Sequence, residues 1–530
     1  MIPVLPAESG RVVAFIDIGT NSVRLLVVRL NPNHSYSVLT RQKQQVRLGE
    51  GAFENEDLRT AAVERLVIVC KKFSELALSF GTEEFVAVAT SAMREAANRH
   101  EVLHLLRQEA HLDVRIISGQ EEARLVYLGV ASGMDTGNRT TFFIDIGGGS
   151  TEVVIGDTSD YRALHSYRLG AIRLAGLCGP EKPGSPVSAS HCRKIEDYVK
   201  SVVRRSISRM KKEKIDCAVG SSGTIMNLAE IAQKTRSVRV EGKEPQLDYA
   251  DLQRVIGLLS SLPLEQRRKV PGINPERADI IIPGAIILEV FMKELGLGTL
   301  AVTSRGLQDG LLVDYLSRMD AFPLLGKLSP RERSVLQLGR SCGINEAHAR
   351  KVTALVLELF DSAAGILLHP YGAKERELLE FATFLHDIGS FISYTNHHSH
   401  SYYMIRNSEL LGFDETEIAF MAMIARFHRK KAPRKNDPGM DELGIREREA
   451  VRVLATFVRI GESLDRSHTA LVQHVRFTAV DKDQVRLEIA ARGDCQLEIW
   501  GIESEMKAFA KAFSKKLVID IVDSHAGQPD

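Results

Sequence analysis

Two short hydrophobic segments of the chain have nearly the same sequence and are followed by the same kind of turn. Phe15-Ile-Asp-Ile-Gly19 recurs as Phe143-Ile-Asp-Ile-Gly147, and each copy leads through a turn and a serine into a second apolar run, Val23 to Leu30 or Val153 to Ile155. A buried strand, a glycine-containing turn and a second strand are typical of a β-hairpin. Two such hairpins predict a duplicated α/β fold.

Apolar residues at helical spacing separate and follow the two hairpins. These helical patterns cover 58–78, 102–110, 192–212, 225–233, 251–259 and 278–295, with a short strand pattern over 85–89. Strands that alternate with helices predict a largely buried sheet in each copy. We therefore expect one lobe over residues 1–130 and a second over 131–318.

The pattern changes from about Leu325 onward. Helical spacing is found over 331–342, 347–367, 376–385, 415–427 and 446–464. After Leu471 the chain shows strand patterns over 475–480, 484–490, 496–500 and 517–522, with a helical pattern over 503–516. These patterns predict an all-helical domain over 319–470 and a small α/β domain over 471–530.

Composition and charge indicate a globular protein but do not indicate a particular function. The chain has 530 residues, of which 44% are apolar and 26% charged, so it should form several globular domains. The first residues lack the basic start of a secretory signal, and no run of about 20 apolar residues is present. We expect a cytoplasmic protein with no membrane partner. A net charge of +1 gives no general attraction for nucleic acid, so no specific nucleic-acid partner is expected.

Two glycine-rich segments suit phosphate binding. Gly147, Gly148 and Gly149 lack the side chains that would keep a phosphate from backbone N–H groups, and Ser150 adds a hydroxyl. The segment Gly220-Ser-Ser-Gly-Thr224 precedes an apolar helix, whose N-terminus carries partial positive charge. Glycine also occurs in hairpin turns for conformational reasons alone. Two such loops behind repeated strands favour the phosphate interpretation.

Asp17 and Asp145 end the first strand of each copy, where a carboxylate needs a cation or hydrogen bonds. Mg²⁺ is one candidate partner, and the amides of the adjacent turn are the other. The repetition of the aspartate favours a metal.

Two neighbouring glutamates follow Ser118. Ser118-Gly-Gln-Glu121 fits a capping box, which would turn the Glu121 side chain back to the helix start. Glu122 then points elsewhere, and we nominate it as the general base that takes a proton from water. The alternative for Glu122 is a surface charge that the helix dipole stabilises.

Several motifs together resemble the exopolyphosphatase and guanosine pentaphosphate phosphohydrolase family. They are Phe15 to Ser22, Thr90 to Ala96, Ile117 to Arg124, Ile144 to Glu152, Gly220 to Thr224 and Ser304 to Leu307. The resemblance covers about the first 315 residues. It implies a duplicated, actin-like, ribonuclease-H-type fold that holds phosphates between two lobes.

The same resemblance implies roles for individual residues. Glu122 matches the catalytic glutamate, and Asp145 and Glu152 match acidic residues near the metal and water. We add Asp17, from its position at the end of the first strand, to the predicted Mg²⁺ residues. The phosphate-binding residues implied are Arg94, Asn21, Ser22, Gly147, Gly148, Gly149, Ser150, Ser221, Ser222, Gly223 and Thr224. Water would attack the terminal phosphorus while cations and N–H groups stabilise the charge on its oxygens.

The helical segment resembles an HD-type domain of the longer members. His348, His386, Asp387 and Asp465 match its metal-binding positions, so a second divalent metal is expected there. The alternative is that these residues only tie helices together and that the domain lengthens a groove for a polyanion. The groove residues we name are His400, His428, Arg429, Lys430 and Lys431, in a basic segment that continues to Arg434 and Lys435.

The expected substrates are inorganic polyphosphate and guanosine pentaphosphate, because both end in a phosphoanhydride. An ATP-dependent kinase or ATPase of the same superfold is one alternative. A second is a sensor whose first half binds polyphosphate or an alarmone without turnover while the helical domain hydrolyses or signals. Resemblance to the longer members also implies a homodimer.

Overall fold

The computed structural model describes residues 10–134, 136–137, 139–158, 160–178, 184–236, 246–319, 328–431, 433–434, 437–479 and 481–522. The chain forms two compact units, Met1–Pro330 and Arg331–Asp530. The domain boundary expected at 319 adjoins residues 320–327, which lie outside the described residues. Within the described residues, no helix is both long enough and apolar enough to cross a bilayer.

The first unit begins with a five-stranded sheet flanked by helices. Its strands are β1 (Arg11–Ile18), β2 (Ser22–Leu30), β3 (Tyr36–Gln45), β4 (Glu84–Ala89) and β5 (Val114–Ile116). Its helices are α1 (Ala52–Asn55), α2 (Thr60–Ser79), α3 (Ser91–Glu95), α4 (Arg99–Ala110) and α5 (Gly119–Ala131). The strand order is β3-β2-β1-β4-β5, with antiparallel β1 to β3 and parallel β4 and β5 beside β1.

The second sheet of this unit repeats that topology. Its strands are β6 (Thr141–Ile146), β7 (Thr151–Gly156), β8 (Tyr161–Tyr167), β9 (Cys217–Ser221), β10 (Gln246–Asp248) and β11 (Thr299–Val302). Its helices are α6 (Ala171–Leu177), α7 (Ala189–Met210), α8 (Ser222–Lys234), α9 (Tyr249–Ser261), α10 (Leu264–Arg267), α11 (Ile281–Leu295) and α12 (Leu307–Ser317). The order β10-β11-β9-β6-β7-β8 again places an antiparallel hairpin beside parallel strands.

Two glycines allow α5 and α12 to approach closely. A Cβ atom at Gly310 would lie 1.8 Å from the backbone oxygen of Leu125, and one at Gly129 would lie 2.1 Å from that of Gly306. Such distances exclude any side chain at either position. The close packing fixes α5, the helix that carries Glu122, against α12.

The second unit combines helices with a three-stranded sheet. Its helices are α13 (Pro330–Ser341), α14 (Glu346–Gly365), α15 (Ala373–Phe384), α16 (His397–Arg406), α17 (Glu415–Arg426), α18 (Ile445–Leu464) and α19 (Gln496–Phe513). Its strands are β12 (Val472–Ala479), β13 (Gln484–Ala491) and β14 (Lys516–Val522), in that order in the sheet. The strand predicted over 496–500 is wrong, because these residues form the first turns of α19. Val480, the predicted end of β12, lies outside the described residues.

The helices and the sheet of the second unit share one hydrophobic core. The Phe457 ring of α18 lies 6.1 Å from that of Phe477 on β12, and Phe477 lies 5.7 Å from Phe509 of α19. Aromatic burial of this kind contributes much of the stability of a core. Residues 331–470 and 471–522 therefore belong to one compact unit, where the sequence suggested two separate domains.

Candidate active site

The two hairpin turns of the first unit have the same geometry and contact each other. The Gly19 N–H donates to Ser22 O (3.1 Å), and the Gly147 N–H donates to Ser150 O (2.9 Å). A Cβ atom at Gly149 would lie 2.8 Å from Thr20 Oγ1 and 2.7 Å from Ser91 Oγ. The missing side chain at Gly149 thus permits the close approach of the two turns, a role that the sequence did not predict.

The carbonyl groups of the second turn are held by the start of α6. Gly148 O accepts from Ile172 N (2.9 Å), and Gly149 O accepts from Arg173 Nε (2.7 Å). The N–H groups of Gly148 and Gly149 find no acceptor within the described part of the chain. Buried N–H groups need a partner, so these two are suited to bind an anion.

The other phosphate candidates lie near these turns. Asn21 and Ser22 are buried in the first turn, where Asn21 O accepts from Val46 N and Arg47 N. Ser221 is fixed at the start of α8 because its hydroxyl donates to Asp145 Oδ2. Ser222 adopts φ 91°, a backbone conformation that is rare for residues other than glycine and is often found at functional sites.

Three carboxylates are buried in this region, those of Asp17, Glu122 and Glu152, and the carboxylate of Asp145 is half-buried. Asp145 lies opposite Glu152 across the β6–β7 hairpin, and Ser166 Oγ donates to Glu152 Oε1 (2.9 Å). Asp17 Oδ1 is buried and has no hydrogen-bond partner among the described residues. Burial, and then the charges of Glu122 and Asp145, raise the pKa of Glu152 well above its usual range.

The remaining carboxylates are perturbed in the same direction. Burial raises the pKa of Asp17 to about 6, although Arg24 opposes the shift. Burial also raises the pKa of Glu122 to about 7 against the opposing charge of Arg94, and it raises that of Asp145. Buried carboxylates that lack sufficient cationic partners are costly, and hard divalent cations prefer oxygen ligands.

The predicted metal residues fit a divalent cation in an open site. Asp17, Asp145 and Glu152 do not bring three carboxylate oxygens within 4.8 Å of one another in the described structure, so they do not form a closed cage. A cation that keeps several waters and substrate oxygens, as Mg²⁺ commonly does, needs only one or two protein carboxylates. Asp17 Oδ1 is the strongest candidate ligand for such a cation, because it is buried and has no hydrogen-bond partner among the described residues.

Glu121 and Glu122 have different partners, as the sequence predicted, but the partner of Glu121 differs from the prediction. Ser118 Oγ accepts from Glu121 N (3.1 Å), which is the first half of the expected capping box. The Glu121 carboxylate instead binds Arg124 at 2.8 and 2.9 Å. Glu122 Oε2 accepts from Arg94 Nη1 (3.0 Å), and the same nitrogen also donates to Ile117 O. Arg94 thus orients Glu122.

A group of cations that the sequence did not reveal lies beside the glycine segments. Arg24 is on β2, where it lies opposite Asp17 of β1 on one side and Lys43 of β3 on the other. Arg277 approaches so closely that a Cβ atom at Gly223 would lie 2.3 Å from its guanidinium. The Arg24 and Arg277 guanidinium groups have no hydrogen bond or ion pair to any described residue. The pairing of residues in the hairpin could have predicted that Arg24 and Lys43 lie near Asp17. Arg277 could not be predicted in this way, because it is more than 200 positions away in the chain.

Crowding affects the pKa of two of these cations. Burial and the charge of Arg24 lower the pKa of Arg277 to about 10. Partial burial and the charges of Arg24 and Arg277 lower that of Lys43 to about 8. Like charges held together lose stability unless an anion joins them. A cavity of about 820 Å³ in the same unit is lined by charged residues of both signs and by two serines: Arg94, Arg168, Arg173, Glu56, Glu95, Ser118 and Ser150.

Histidines and carboxylates converge in the second unit. One group of potential metal ligands comprises His348, His386, Asp387 and Glu462, and another comprises Asp387, His397 and His428. The sequence did not indicate Glu462 as a ligand, although it lies on α18 about one helical turn before Asp465, the residue that follows this helix. Asp465 is not in either group, because its Oδ2 contacts His348 Nδ1 (2.7 Å) on the far side of that ring. In this structure Glu462, and not Asp465, is grouped with the other predicted ligands.

The polyanion residues predicted in this unit separate into two sets. His428 is fully buried, and its Nε2 lies 3.1 Å from His397 Nε2, so it belongs to the metal-type cluster and not to a groove wall. Arg429, Lys430 and Lys431 are exposed and His400 is half-buried. Lys435 lies outside the described residues. Carboxylates outweigh the effect of burial and raise the pKa of His386 to about 9, whereas burial lowers that of His428 to about 3.

The chain belongs to the Ppx/GppA phosphatase family. The model of that family matches residues 26–319, and the model of Ppx/GppA phosphatase domain III matches residues 331–506. Membership of a phosphatase family confirms the predicted family and the predicted enzyme class, a phosphoanhydride hydrolase. The first unit has the actin-like, two-lobed α/β fold, followed by a unit rich in helices.

Named relatives agree with this assignment. A guanosine-5'-triphosphate,3'-diphosphate pyrophosphatase of Aeromonas hydrophila is 28% identical over 453 residues, which are 84% of this chain and 86% of that protein. A crystal structure of an exopolyphosphatase from Cytophaga hutchinsonii matches with a TM-score of 0.54 and 24% identity, over 59% of this chain and 99% of the other. At that identity the structural match supports the fold alone.

Proposed function

We propose that the first unit removes terminal phosphates from inorganic polyphosphate and also from guanosine pentaphosphate. The observation that carries this proposal is Glu122, a buried carboxylate that is held by Arg94 and interacts with the carboxylates of Asp17, Asp145 and Glu152. The same unit contains two glycine-rich loops suited to phosphate. The two named relatives act, by their names, on a guanosine pentaphosphate and on polyphosphate. Both substrates end in the same bond, so one site serves both.

In the proposed reaction, Glu122 takes a proton from a water molecule, and the oxygen of that water attacks the terminal phosphorus. The bond from phosphorus to the bridging oxygen breaks, releasing inorganic phosphate and a substrate shortened by one phosphate. Arg94 orients Glu122 through Nη1 and turns its remaining N–H groups toward the substrate. The N–H groups of Gly148 and Gly149, with Ser150 and the segment from Ser221 to Thr224, hold the phosphate oxygens.

Mg²⁺ bound by Asp17, Asp145 and Glu152 would neutralise charge on the substrate oxygens. Arg24, Lys43 and Arg277 supply the remaining positive charge. None of the three forms an ion pair with a described residue, although Glu276 acts on Lys43 and Arg277, so they are available for further phosphates of a chain. A non-catalytic sensor would have no use for a general base at Glu122. A kinase could use one, but the chain belongs to a phosphatase family. The hydrolase is therefore the function that the geometry supports best.

Phosphate release from polyphosphate and from guanosine pentaphosphate, with and without Mg²⁺, tests the proposal. Glu122→Gln should lower kcat by roughly 10²–10⁴-fold, the usual contribution of a general base. Glu121→Gln is the matched control, because it removes the neighbouring carboxylate, whose hydrogen bonds within the described residues go to Arg124. The proposal fails if Glu122→Gln retains wild-type turnover on both substrates. The ratio of the two wild-type kcat/KM values establishes substrate preference.

For the second unit we propose an HD-type metal site formed by His348, His386, Asp387 and Glu462. Glu462 Oε2 lies 3.0 Å from His386 Nε2 and 3.1 Å from His348 Nε2. Asp465 would orient His348 through Nδ1, as carboxylates behind ligating histidines commonly do. A bound divalent metal that is lost on His386→Ala but not on Asp465→Asn would support this set, and loss on neither would refute it.

Long polyphosphate chains would additionally contact the exposed cations Arg429, Lys430 and Lys431, with His400. Replacing both lysines by glutamine should weaken long-chain binding and reduce its salt dependence, while short chains bind unchanged. Identical salt dependence in the variant would refute this role. We also propose a homodimer, to be checked by the molar mass of the full chain in solution.

A further inference from the structure

Arg173 is a buried arginine of α6 to which the proposed reaction assigns no role. Its Nε donates to Gly149 O (2.7 Å) in the second glycine turn, which belongs to the second sheet. Its Nη2 donates to Glu95 Oε1 (2.6 Å) and to Ser91 Oγ (3.3 Å), both on α3, a helix that flanks the first sheet. One guanidinium group therefore connects the two halves of the first unit.

Arg173 completes the set of bonds that hold the carbonyl groups of this turn. Backbone N–H groups at the start of α6 hold Gly147 O and Gly148 O, and the Arg173 side chain holds Gly149 O. In a planar trans peptide group, the carbonyl points away from the N–H group of the next residue. The bond to Gly149 O therefore fixes the direction of the Ser150 N–H group. That N–H group finds no acceptor within the part of the chain that the structure describes.

The carboxylate that Arg173 holds is adjacent to the residue that orients Glu122. Glu95 ends α3 and follows Arg94, whose Nη1 donates to Glu122 Oε2 (3.0 Å). The Arg173 and Glu95 side chains are only 8% and 22% exposed, so water weakens their ion pair little. Charge-assisted hydrogen bonds are also short and strong. The place of Arg94 thus depends on a cation from the other half of the unit.

The ring of Phe53 restricts the Arg173 guanidinium from a third direction. The guanidinium carbon lies 3.8 Å from the ring centroid, a distance at which the face of the ring attracts a cation. A planar guanidinium can serve a carbonyl, a carboxylate and a ring at once, whereas the single ammonium of lysine cannot. These partners therefore require an arginine in particular at this position.

The Arg173–Glu95 ion pair also borders the space where substrate is expected. Arg173, Glu95 and Phe53 line the cavity of about 820 Å³ that Arg94 and Ser150 also line. A shift of the pair would therefore change the alignment of Arg94 with the Ser150 N–H group at the cavity wall. A misalignment of about 1 Å can lower a rate about 100-fold.

We propose that Arg173 is a positioning residue that, through Glu95, aligns the phosphate-binding turn with Arg94 and Glu122. The inference rests on the hydrolase activity proposed above and explains how the two halves of that site are held together. Arg173 itself takes no proton and forms no bond to phosphorus. Its effect should therefore be on the rate of attack and not on the affinity for substrate, which the remaining cations of the site would maintain.

Phosphate release from guanosine pentaphosphate by the full chain, with Mg²⁺, tests this role. We expect Arg173→Ala to lower kcat about 100-fold and to leave KM nearly unchanged, because only the alignment is lost. Glu95→Gln should lower kcat in the same way. The double variant should have the kcat of Arg173→Ala, because the two side chains act as one unit.

Arg459→Ala is the matched control. Arg459 is a buried arginine of the second unit that also holds two backbone carbonyls, those of Phe427 and Lys430, and a glutamate, Glu505. Its loss should lower the unfolding temperature but leave kcat for guanosine pentaphosphate unchanged. This control separates a loss of stability from a loss of alignment.

Free guanidinium provides a readout that a purely structural role would not give. The space left in Arg173→Ala borders the cavity, so millimolar guanidinium chloride should raise the kcat of this variant about tenfold. Equal concentrations of sodium chloride should have no effect, and the double variant with Glu95→Gln should not respond to guanidinium. If Arg173→Ala does not fold, Arg173→Lys replaces it and should lower kcat without raising KM.

A wild-type kcat in Arg173→Ala or in Glu95→Gln would overturn the inference. A raised KM at unchanged kcat would also overturn it, because that result indicates a direct contact with phosphate. Loss of activity that does not respond to guanidinium would limit Arg173 to a role in folding. These outcomes differ from failure of the proposed function, in which wild type releases no phosphate or Glu122→Gln keeps wild-type turnover.

Discussion

Glu121 and Glu122 are neighbours on α5, yet only Glu122 is buried, with its carboxylate on Arg94 while that of Glu121 binds Arg124. One helical step of about 100° is enough to send adjacent side chains to different surroundings. The two residues therefore make a natural pair of test and control for the chemistry of the first unit.

The pH dependence of kcat/KM should reflect the ionisation of Glu122. Burial raises its pKa to about 7, and a general base must be ionised to accept a proton. Activity should therefore rise through about pH 7 and fall about tenfold per pH unit well below it. Arg94 lowers this pKa, so Arg94→Gln should move the rise to higher pH. The rates are measured at constant ionic strength. If the midpoint of the pH profile is the same in Arg94→Gln as in wild type, the ionisation seen in the profile is not that of Glu122.

Arg277 should contribute to substrate binding. Its buried guanidinium lies against Gly223 and forms no ion pair with a described residue. The charges of Asp145 and Glu276 only partly oppose the lowering of its pKa, so an anion is its expected partner. Arg277→Gln should raise KM for polyphosphate roughly tenfold or more, since a charge-assisted hydrogen bond contributes about 1.5–3 kcal/mol. Arg268→Gln removes an exposed arginine paired with Glu265 and should leave KM unchanged. Equal KM values for the two variants would argue against the assigned role.

Gly310 should be intolerant of even a methyl group. A Cβ atom there would overlap the backbone of Leu125, so Gly310→Ala must move α12 away from α5. We expect a loss of about 1–3 kcal/mol in unfolding free energy, with reduced turnover because α5 carries Glu122. Gly257→Ala on α9 is the control, since nothing lies within 4 Å of its Cβ position. That change should be neutral or stabilise by about 0.4–1 kcal/mol in chemical denaturation.

Glu417 should stabilise the second unit through a buried ion pair. Its Oε2 lies 2.9 Å from Arg331 Nη1 and its Oε1 lies 3.0 Å from Lys374 Nζ. Removing one partner of a buried pair costs about 3–5 kcal/mol, so Glu417→Ala should lower the unfolding temperature of this unit markedly. Glu415→Ala, at an exposed position on the same helix, is the control.

The effect of Glu417 should depend on pH. Burial alone would raise its pKa, but Lys374 and Arg331 outweigh burial and hold the pKa below its usual range. Its stabilisation is therefore present above the unfolded carboxyl pKa of about 4.3 and is lost as the pH falls through the lowered value. Calorimetry should show the difference between wild type and Glu417→Ala shrinking on acidification. A difference that is constant with pH would exclude the ion pair as its cause.

Local sequence alone predicted the repeated hairpins, the aspartate at the end of each first strand, and different partners for Glu121 and Glu122. Hairpin turns and helix starts depend on residues within four or five positions, so their pattern is visible in the chain. The strand predicted over 496–500 failed because a short apolar run fits a helix start equally well, and its contacts in the shared core decide between them.

Tertiary structure alone decided which distant groups meet. Glu462 joins His348 from 114 positions away, His428 leaves the predicted groove for a cluster with His397 and Asp387, and Arg277 faces Gly223. Periodicity shows which face of a helix is buried, but not which other element packs against that face. The sequence thus determined the elements and the family, whereas the packing of those elements determined which carboxylates, imidazoles and cations share one buried space.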